Sequence, residues 1–236
     1  MLARRLPLVL LLALLPAVPA GPLRAQEPPP PPANELSALL GRFRELKGLK
    51  ARFREERRLA LLEAPLVDEG WLHFAPPAAG KPARLARHVD TPAPQSVVIE
   101  GGRLSTWDGK ERREVALDRS PVANQLVAGF LLILAGDEEG VRRIYQVELV
   151  KEPEERWRLV LRPRAAPLKD AITRLEFTGR DLVVERLLLV ETGGDETETR
   201  FTQVDPRHAH SPEEAARVFR LPEPAASGAS RAGGRE

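Results

Sequence analysis

The chain has 236 residues and no cysteine. Disulfides are therefore excluded, and the fold has to be held by its core. A thiolate nucleophile and a cysteine metal site are excluded with them. So is anchoring through an acylated cysteine after a signal sequence. Charge of one sign is lacking too: 36 Lys and Arg stand against 34 Asp and Glu, and acids are interleaved among the arginines. Nucleic-acid binding needs a concentrated basic face, so this composition argues against it. Beyond the N-terminus no apolar run reaches the ~20 residues that span a bilayer. The sequence also holds no nucleophile elbow, no His-Glu-x-x-His, no P-loop and no Gly-rich dinucleotide fingerprint, which points away from an enzyme.

The N-terminus does carry a signal. Met1-Leu2-Ala3-Arg4-Arg5 is a short basic start, and Leu6 to Ala20 is almost wholly apolar but interrupted by Pro7, Pro16 and Pro19. A small residue, Ala25, precedes Gln26. This reads as a secretory signal peptide over 1–25, with Ala20 as a second possible cut. Its removal takes away Arg4, Arg5 and Arg24 and no acid, leaving 33 basic against 34 acidic residues. Pro28 to Pro32 makes 26–33 an extended proline-rich linker. The small, polar stretch 223–236 reads as a disordered tail. Between them, 34–222 holds one domain.

Within that domain Asn34 is placed to cap a helix whose Leu36, Leu39, Leu40 and Phe43 form one apolar stripe, ended by Gly48. Period 2 then takes over. Leu49, Ala51, Phe53, Leu59 and Leu61 alternate with basic residues as a long strand with one wet face. Further strands are expected at Leu66–Phe74, Arg84–Val89, 97–100, 104–107 and 111–117. Gly101-Gly102 and Asp108-Gly109 serve as tight two-residue hairpins between the last three. Ser120-Pro121 opens a helix to Ala135 that is apolar on most sides, and Gly136 stops it. Such a helix is covered on nearly all sides or faces a lipid-like partner. Asp137 caps a short helix. Strands resume at 146–151, 156–162, 172–178, 182–191 and 196–203, where Thr197, Thr199, Phe201 and Gln203 share a face. Ser211-Pro212 starts a last helix, and Val218 to Leu221 is expected to close as a strand. The fold class is therefore mainly β with α (α+β): ten or eleven antiparallel strands that curl into a cradle with a helical lid.

Chemistry-bearing residues are sparse. Asp205, His208 and His210 lie close enough in sequence to ligate a metal, but Pro206 among them makes solvated loop histidines the simpler reading, and no metal or other cofactor is expected. The pairs Glu138-Glu139 and Glu154-Glu155 fall at a helix start and in a loop, where solvation and capping account for them. Trp71, Trp107 and Trp157 sit in strands, as core or cavity lining. Alternation assigns Phe53, Leu72, Phe74, Val97, Ile99, Trp107, Leu159, Leu161, Leu175 and Phe177 to the inner face, with Phe130, Leu131 and Leu134 on the lid. A register slip of one residue would swap these faces.

The order of elements resembles the LolA-type periplasmic carriers of outer-membrane lipoproteins, and more closely a divergent LolA-related branch. The resemblance spans Asn34 to Pro222. It rests on the opening helix, on Phe53-Arg54-Glu55-Glu56-Arg57, on Ala64 through Phe74 (APLVDEGWLHF), on Gly136-Asp137 and Tyr145-Gln146-Val147, on Trp157 through Pro163 (WRLVLRP), and on Leu168-Lys169-Asp170-Ala171-Ile172. It implies a half-open curled antiparallel β-barrel with helices as a lid over an apolar cavity. It further implies a soluble periplasmic carrier of acylated cargo, lipoprotein or lipid, working as a monomer between an inner-membrane donor transporter and an outer-membrane acceptor. A lipid-sensing or envelope-stress module of the same fold is the alternative. An acceptor role in the manner of LolB would need a lipidated cysteine. One departure stands out: the family's lid-latching Arg-Pro after the second strand is replaced by Ala75-Pro76, leaving Arg84 or Arg87 as the arginines that could substitute.

Expressed in a bacterium with a periplasm, the mature protein is expected to begin at Gln26. N-terminal sequencing that instead finds an uncut chain starting at Met1 would overturn the signal-peptide reading.

Overall fold

A computed structural model describes residues 33–78 and 80–222. The expected signal peptide, the proline run and the tail lie outside the described residues. Helix α1 (Ala33–Phe43) leads into six strands: β1 (Leu49–Arg58), β2 (Leu66–Ala75), β3 (Arg84–Thr91), β4 (Gln95–Glu100), β5 (Arg103–Trp107) and β6 (Arg112–Ala116). A single 3-10 turn, Leu117–Arg119, precedes α2 (Pro121–Leu134) and α3 (Glu138–Ile144). Five strands follow, β7 (Tyr145–Lys151), β8 (Arg156–Pro163), β9 (Ile172–Arg180), β10 (Val183–Glu191) and β11 (Glu196–Asp205). A short α4 (Leu168–Ala171) sits between β8 and β9, and α5 (Pro212–Val218) comes last.

The eleven strands form one antiparallel sheet in the order β6-β5-β4-β3-β2-β1-β11-β10-β9-β8-β7. Each strand pairs with its neighbour in sequence, and β1 joins the two halves by pairing with β11. Among the described residues β6 and β7 remain as edges, so the curled sheet is a half-open barrel rather than a closed one.

Several boundaries moved for identifiable reasons. Helix α1 begins at Ala33, which puts Asn34 in its first turn rather than at the cap. Strand β1 ends at Arg58, and Leu61, expected to continue it, is almost fully exposed. Gly101-Gly102 makes the expected two-residue hairpin, with Glu100 opposite Arg103. The next loop is longer: Trp107 pairs with Arg112, because Asp108 Oδ1 accepts from the backbone of Lys110 and Glu111 at 3.0 and 2.9 Å and shapes a four-residue turn. Ser211 caps α5 through the Glu214 amide. No strand follows at Val218–Leu221: Val218 ends α5, and Phe219 packs on the sheet instead.

The main core lies on the concave side. The α1 stripe Leu36, Leu39, Leu40 and Phe43 is buried there, and Phe43 meets Trp157 edge-on at 6.0 Å between ring centroids. The Trp157 indole N–H donates to the Asp181 carbonyl at 2.9 Å, so its one polar atom is satisfied inside the core. A second, smaller core lies on the convex side, where Val218 and Phe219 cover Ala75, Ala86 and Val98. Strands β2 to β4 are therefore covered on both faces, which explains why their convex residues His73, Ala86 and Ser96 are buried where alternation predicts a wet face. The convex face elsewhere is charged: Arg52 and Arg54 reach Asp90 and Glu69, and Arg186 reaches Glu176 and Glu198.

Trp157→Ala removes a buried aromatic and its hydrogen bond together. A loss of roughly 3–5 kcal/mol is expected, read as a drop in the urea midpoint at unchanged m-value.

Candidate functional site: an apolar cavity roofed by one helix

Residues directly opposite in an antiparallel ladder share a face, so the register defines the inner wall. Phe53 stands opposite Phe201 and Gly70, Leu187 opposite Phe177 and Thr199, Leu161 opposite Leu175, and Leu85 opposite Ile99. All face the concave side. Above them lies α2. Its first helical bond runs from the Asn124 amide to the Ser120 carbonyl at 2.8 Å, and the Ser120 side chain, expected as a cap, makes no cap bond. At its other end Gly136 has φ +67°, and the amides of Gly136 and Asp137 return to the carbonyls of Ile133 and Leu132. This is a Schellman motif, whose left-handed residue is easiest for glycine. Asp137 then caps α3 by accepting from the Gly140 amide.

Between α2 and the sheet lies a cavity of about 280 Å³ whose walls are mostly Leu, Ile, Val and Phe. That exceeds the ~150 Å³ of an apolar cavity that stays dry and takes a benzene-sized ligand. Its roof is Leu126, Val127, Gly129, Phe130 and Ile133. Phe130 stacks with Phe177 at 6.1 Å and separates it from a smaller pocket of about 20 Å³ that reaches toward Phe43 and Trp157. Gly129 is what lets the roof sit this low. A Cβ there would lie 2.3 Å from the Tyr145 hydroxyl, so any larger residue would push the helix off the sheet.

Of the residues assigned by alternation, Phe53, Leu72, Val97, Ile99, Leu161, Leu175 and Phe177 line the larger cavity with Phe130, and Leu134 and Leu159 line the smaller one. Three do not line either. Phe74 lies on the inner face but has no exposure at all, because it is consumed by the core. Trp107 stands opposite Ser96 and so lies on the convex face, half-buried, in a strand where every other residue is also partly or fully exposed. Leu131 packs against the core from a face of α2 turned away from the cavity lining.

Sequence reasoning missed a polar patch in the same wall. Glu55, Arg87 and Thr199 are among the lining residues. Arg87 donates to Glu55 at 2.9 Å and to Asp68 at 3.1 Å, and its guanidinium lies 4.6 Å from the centre of the Phe53 ring. Thr199 Oγ1 donates to the other oxygen of Glu55 at 3.1 Å. The signal was there in principle, since Glu55 follows Phe53 by two and Thr199 precedes Phe201 by two. It was hidden because a charge at an inward position is expected only when paired, and the partners come from different strands.

The expected substitute for the lid latch is therefore not Arg87, whose partners are on β1 and β2. Nor is it Arg84, which lies over Phe219 on the convex side. The bond that ties α2 to a neighbour is instead Arg44 Nη2 donating to the Gly136 carbonyl at 2.8 Å. The metal set considered from sequence does not assemble either. His208 lies between Asp205 and Glu214, whereas His210 turns to His73.

An unclosed antiparallel barrel with a helix-roofed apolar cavity defines the structural class. The chain belongs to the family described as outer membrane lipoprotein carrier protein LolA-like, whose sequence profile matches residues 29–221. No curated protein sequence matches it. Among solved structures, similarity extends to MucB, at 19% identity and TM-score 0.47, covering 77% of this chain and 62% of that one. A DUF1329 family protein from Desulfovibrio piger is similar at 11% identity and TM-score 0.45, covering 78% of this chain and 94% of that one. A LolA superfamily protein from Nitrosomonas europaea is similar at 9% identity and TM-score 0.40, covering 76% and 96%. Among the described residues no helix is long and apolar enough to cross a membrane.

Tyr145 is the only tyrosine in the chain, so its titration reports on the cavity alone. Burial pushes its phenol up from 10.0 to about 12. The folded state holds this proton more tightly than the unfolded chain, so stability is full below pH ~10 and falls as pH rises from there toward ~12. Ultraviolet titration is expected to show phenolate forming near pH ~12 in buffer and near ~10 in denaturant. Coincident curves would mean that Tyr145 is not buried under α2.

Proposed function

We propose that the chain is a periplasmic carrier that holds the acyl chains of a lipoprotein or another acylated lipid in the cavity beneath α2 and ferries them from an inner-membrane donor to an outer-membrane acceptor. The observation that carries this reading is the roof. Helix α2 is apolar nearly throughout, yet within it only Gly129, Ile133 and Leu134 are fully buried, and all three lie in its second half. Leu126, Val127 and Phe130 remain partly exposed over an apolar cavity. A core helix would bury such a face completely. A roof that must open keeps part of it uncommitted.

The physics of transfer fits this arrangement. Each methylene moved out of a membrane into water costs about 0.8 kcal/mol, so a palmitoyl-length chain costs roughly 12 kcal/mol. A carrier removes that barrier if its cavity nearly matches the membrane without exceeding it, and no reaction is needed. Membership of the LolA-like family supports the same assignment. Opening would start at the Pro121 end, because the Gly136 end is fixed by the Schellman bonds and by Arg44. The paired Glu55, Arg87 and Asp68 give the wall one polar spot, suited to the ester or amide group at the head of an acyl chain.

Leu126→Glu and Phe130→Glu, at partly exposed roof positions, are expected to leave the circular dichroism spectrum intact while weakening a fluorescent fatty acid at least about tenfold, since an unpaired carboxylate would face the apolar cavity. Leu134→Glu, at a fully buried position, should instead lower the melting temperature sharply. Undiminished fatty-acid affinity in folded Leu126→Glu and Phe130→Glu would sink the roof as a binding element.

A further inference from the structure

All four histidines of the chain gather on the convex side of the sheet, opposite the cavity. Ring centroids lie 5.4 Å apart for His73 and His210, 4.7 Å for His208 and His210, and 6.1 Å for His73 and His88. They come from three places in the sequence: His73 from β2, His88 from β3, and His208 and His210 from the segment that enters α5. Successive strand residues alternate faces, so Leu72 lines the cavity while His73 points the other way, beneath that segment.

The donor geometry inside this cluster is specific. His73 Nδ1 and His210 Nε2 are 3.1 Å apart. Two imidazole nitrogens on one tetrahedral zinc, each at 2.0–2.1 Å, would be about 3.3 Å apart. A carboxylate oxygen of Glu214 completes the set, with one donor atom from each of the three residues within 4.8 Å of the others. His210 Nδ1 is buried without a hydrogen-bond partner, so the ring is not committed to a structural network on that side.

The other two histidines have different jobs. His208 Nε2 sits 2.9 Å from Glu214 and its Nδ1 3.5 Å from Asp205, an arrangement that aims the Glu214 carboxylate as outer carboxylate–histidine partners do in metal sites. Both ring nitrogens of His88 are taken, by Ser96 Oγ at 2.8 Å and the Val218 carbonyl at 2.7 Å, so it is no ligand. A competitor is also present: Lys50 Nζ lies 3.9 Å from Glu214 and 5.1 Å from the centre of the Trp71 ring.

We propose that His73, His210 and Glu214 form a binding site for a divalent transition metal of the zinc class, which clamps the segment carrying α5 to strand β2. Two imidazoles and one carboxylate select zinc, cobalt, nickel or copper over calcium or magnesium, which take all-oxygen sites. The clamp would hold Val218 and Phe219 down on the small convex core. The site is independent of the carrier reading, because no residue of it lines the cavity.

The test is titration of the chelator-stripped protein with Zn2+ and with Co2+, by calorimetry and by the visible absorption of bound Co2+. One ion per chain is expected, with Zn2+ raising the melting temperature. His210→Asn and Glu214→Gln should weaken binding at least about tenfold, while Lys50→Met should tighten it. His73 is left intact because its burial makes a substitution there liable to unfold the protein. Absence of binding overturns the proposal, as does full affinity in His210→Asn and Glu214→Gln, or Ca2+ bound as well as Zn2+. If Glu214→Gln disturbs α5 in the metal-free melt, Lys50→Met decides, and unchanged affinity in that variant counts against the site.

Discussion

An antiparallel sheet whose edges never meet keeps an apolar inner face that no second sheet covers. Here β6 and β7 remain apart, and the inner face runs from Ile99 round to Leu161. Helix α2 roofs the cavity on it, beside the buried stripe of α1. Its seat is set by the contact between Gly129 and the Tyr145 ring, where a single added methyl would collide. From this seat follow the depth of the cavity and the stacking of Phe130 on Phe177. The Schellman turn at Gly136 and the Arg44 bond then fix one end of the roof and leave the other end less buried.

The same sheet is used twice. Its concave side holds the main core and the cavity, while its convex side is charged except where α5 lies on β2 to β4. The exposed ion pairs of the convex face contribute little each. The small core under α5 is different in kind, because it buries polar imidazoles among apolar residues and must satisfy them locally. His88 is satisfied by Ser96 and by the backbone of α5, and His73 by His210. Strand β2 is thus the wall between the two sides, with Leu72 on one and His73 on the other.

The arginine positions separate this chain from the pattern it resembles. The inward Arg87 is bound by two carboxylates and a ring, which makes it part of the cavity wall. Arg44, contributed by the turn after α1, instead holds the Gly136 end of the roof by donating to a backbone carbonyl.

Local pattern was enough for much of this protein. The strand and helix positions were legible because period 2 and period 3.6 are written in the order of apolar residues, and glycine and proline punctuate them. The inner face of β1, β2, β4, β8 and β9 was legible too, since alternation needs only neighbours along one strand. Failure came wherever a residue's surroundings are supplied by another part of the chain. Phe74 reads as cavity wall but is sealed by core. Val218 to Leu221 reads as strand but closes a second core beneath the sheet. Arg87 reads as a substitute for the lid latch but pairs with Glu55 inside the wall. His73 and His210, 137 residues apart in sequence, share no local signal. Sequence by itself settled which residues alternate and where the chain turns, because those depend on backbone geometry and nearest neighbours. Tertiary structure alone decided which apolar positions stay open as cavity and which polar ones meet, because both depend on register and packing between segments far apart in the chain.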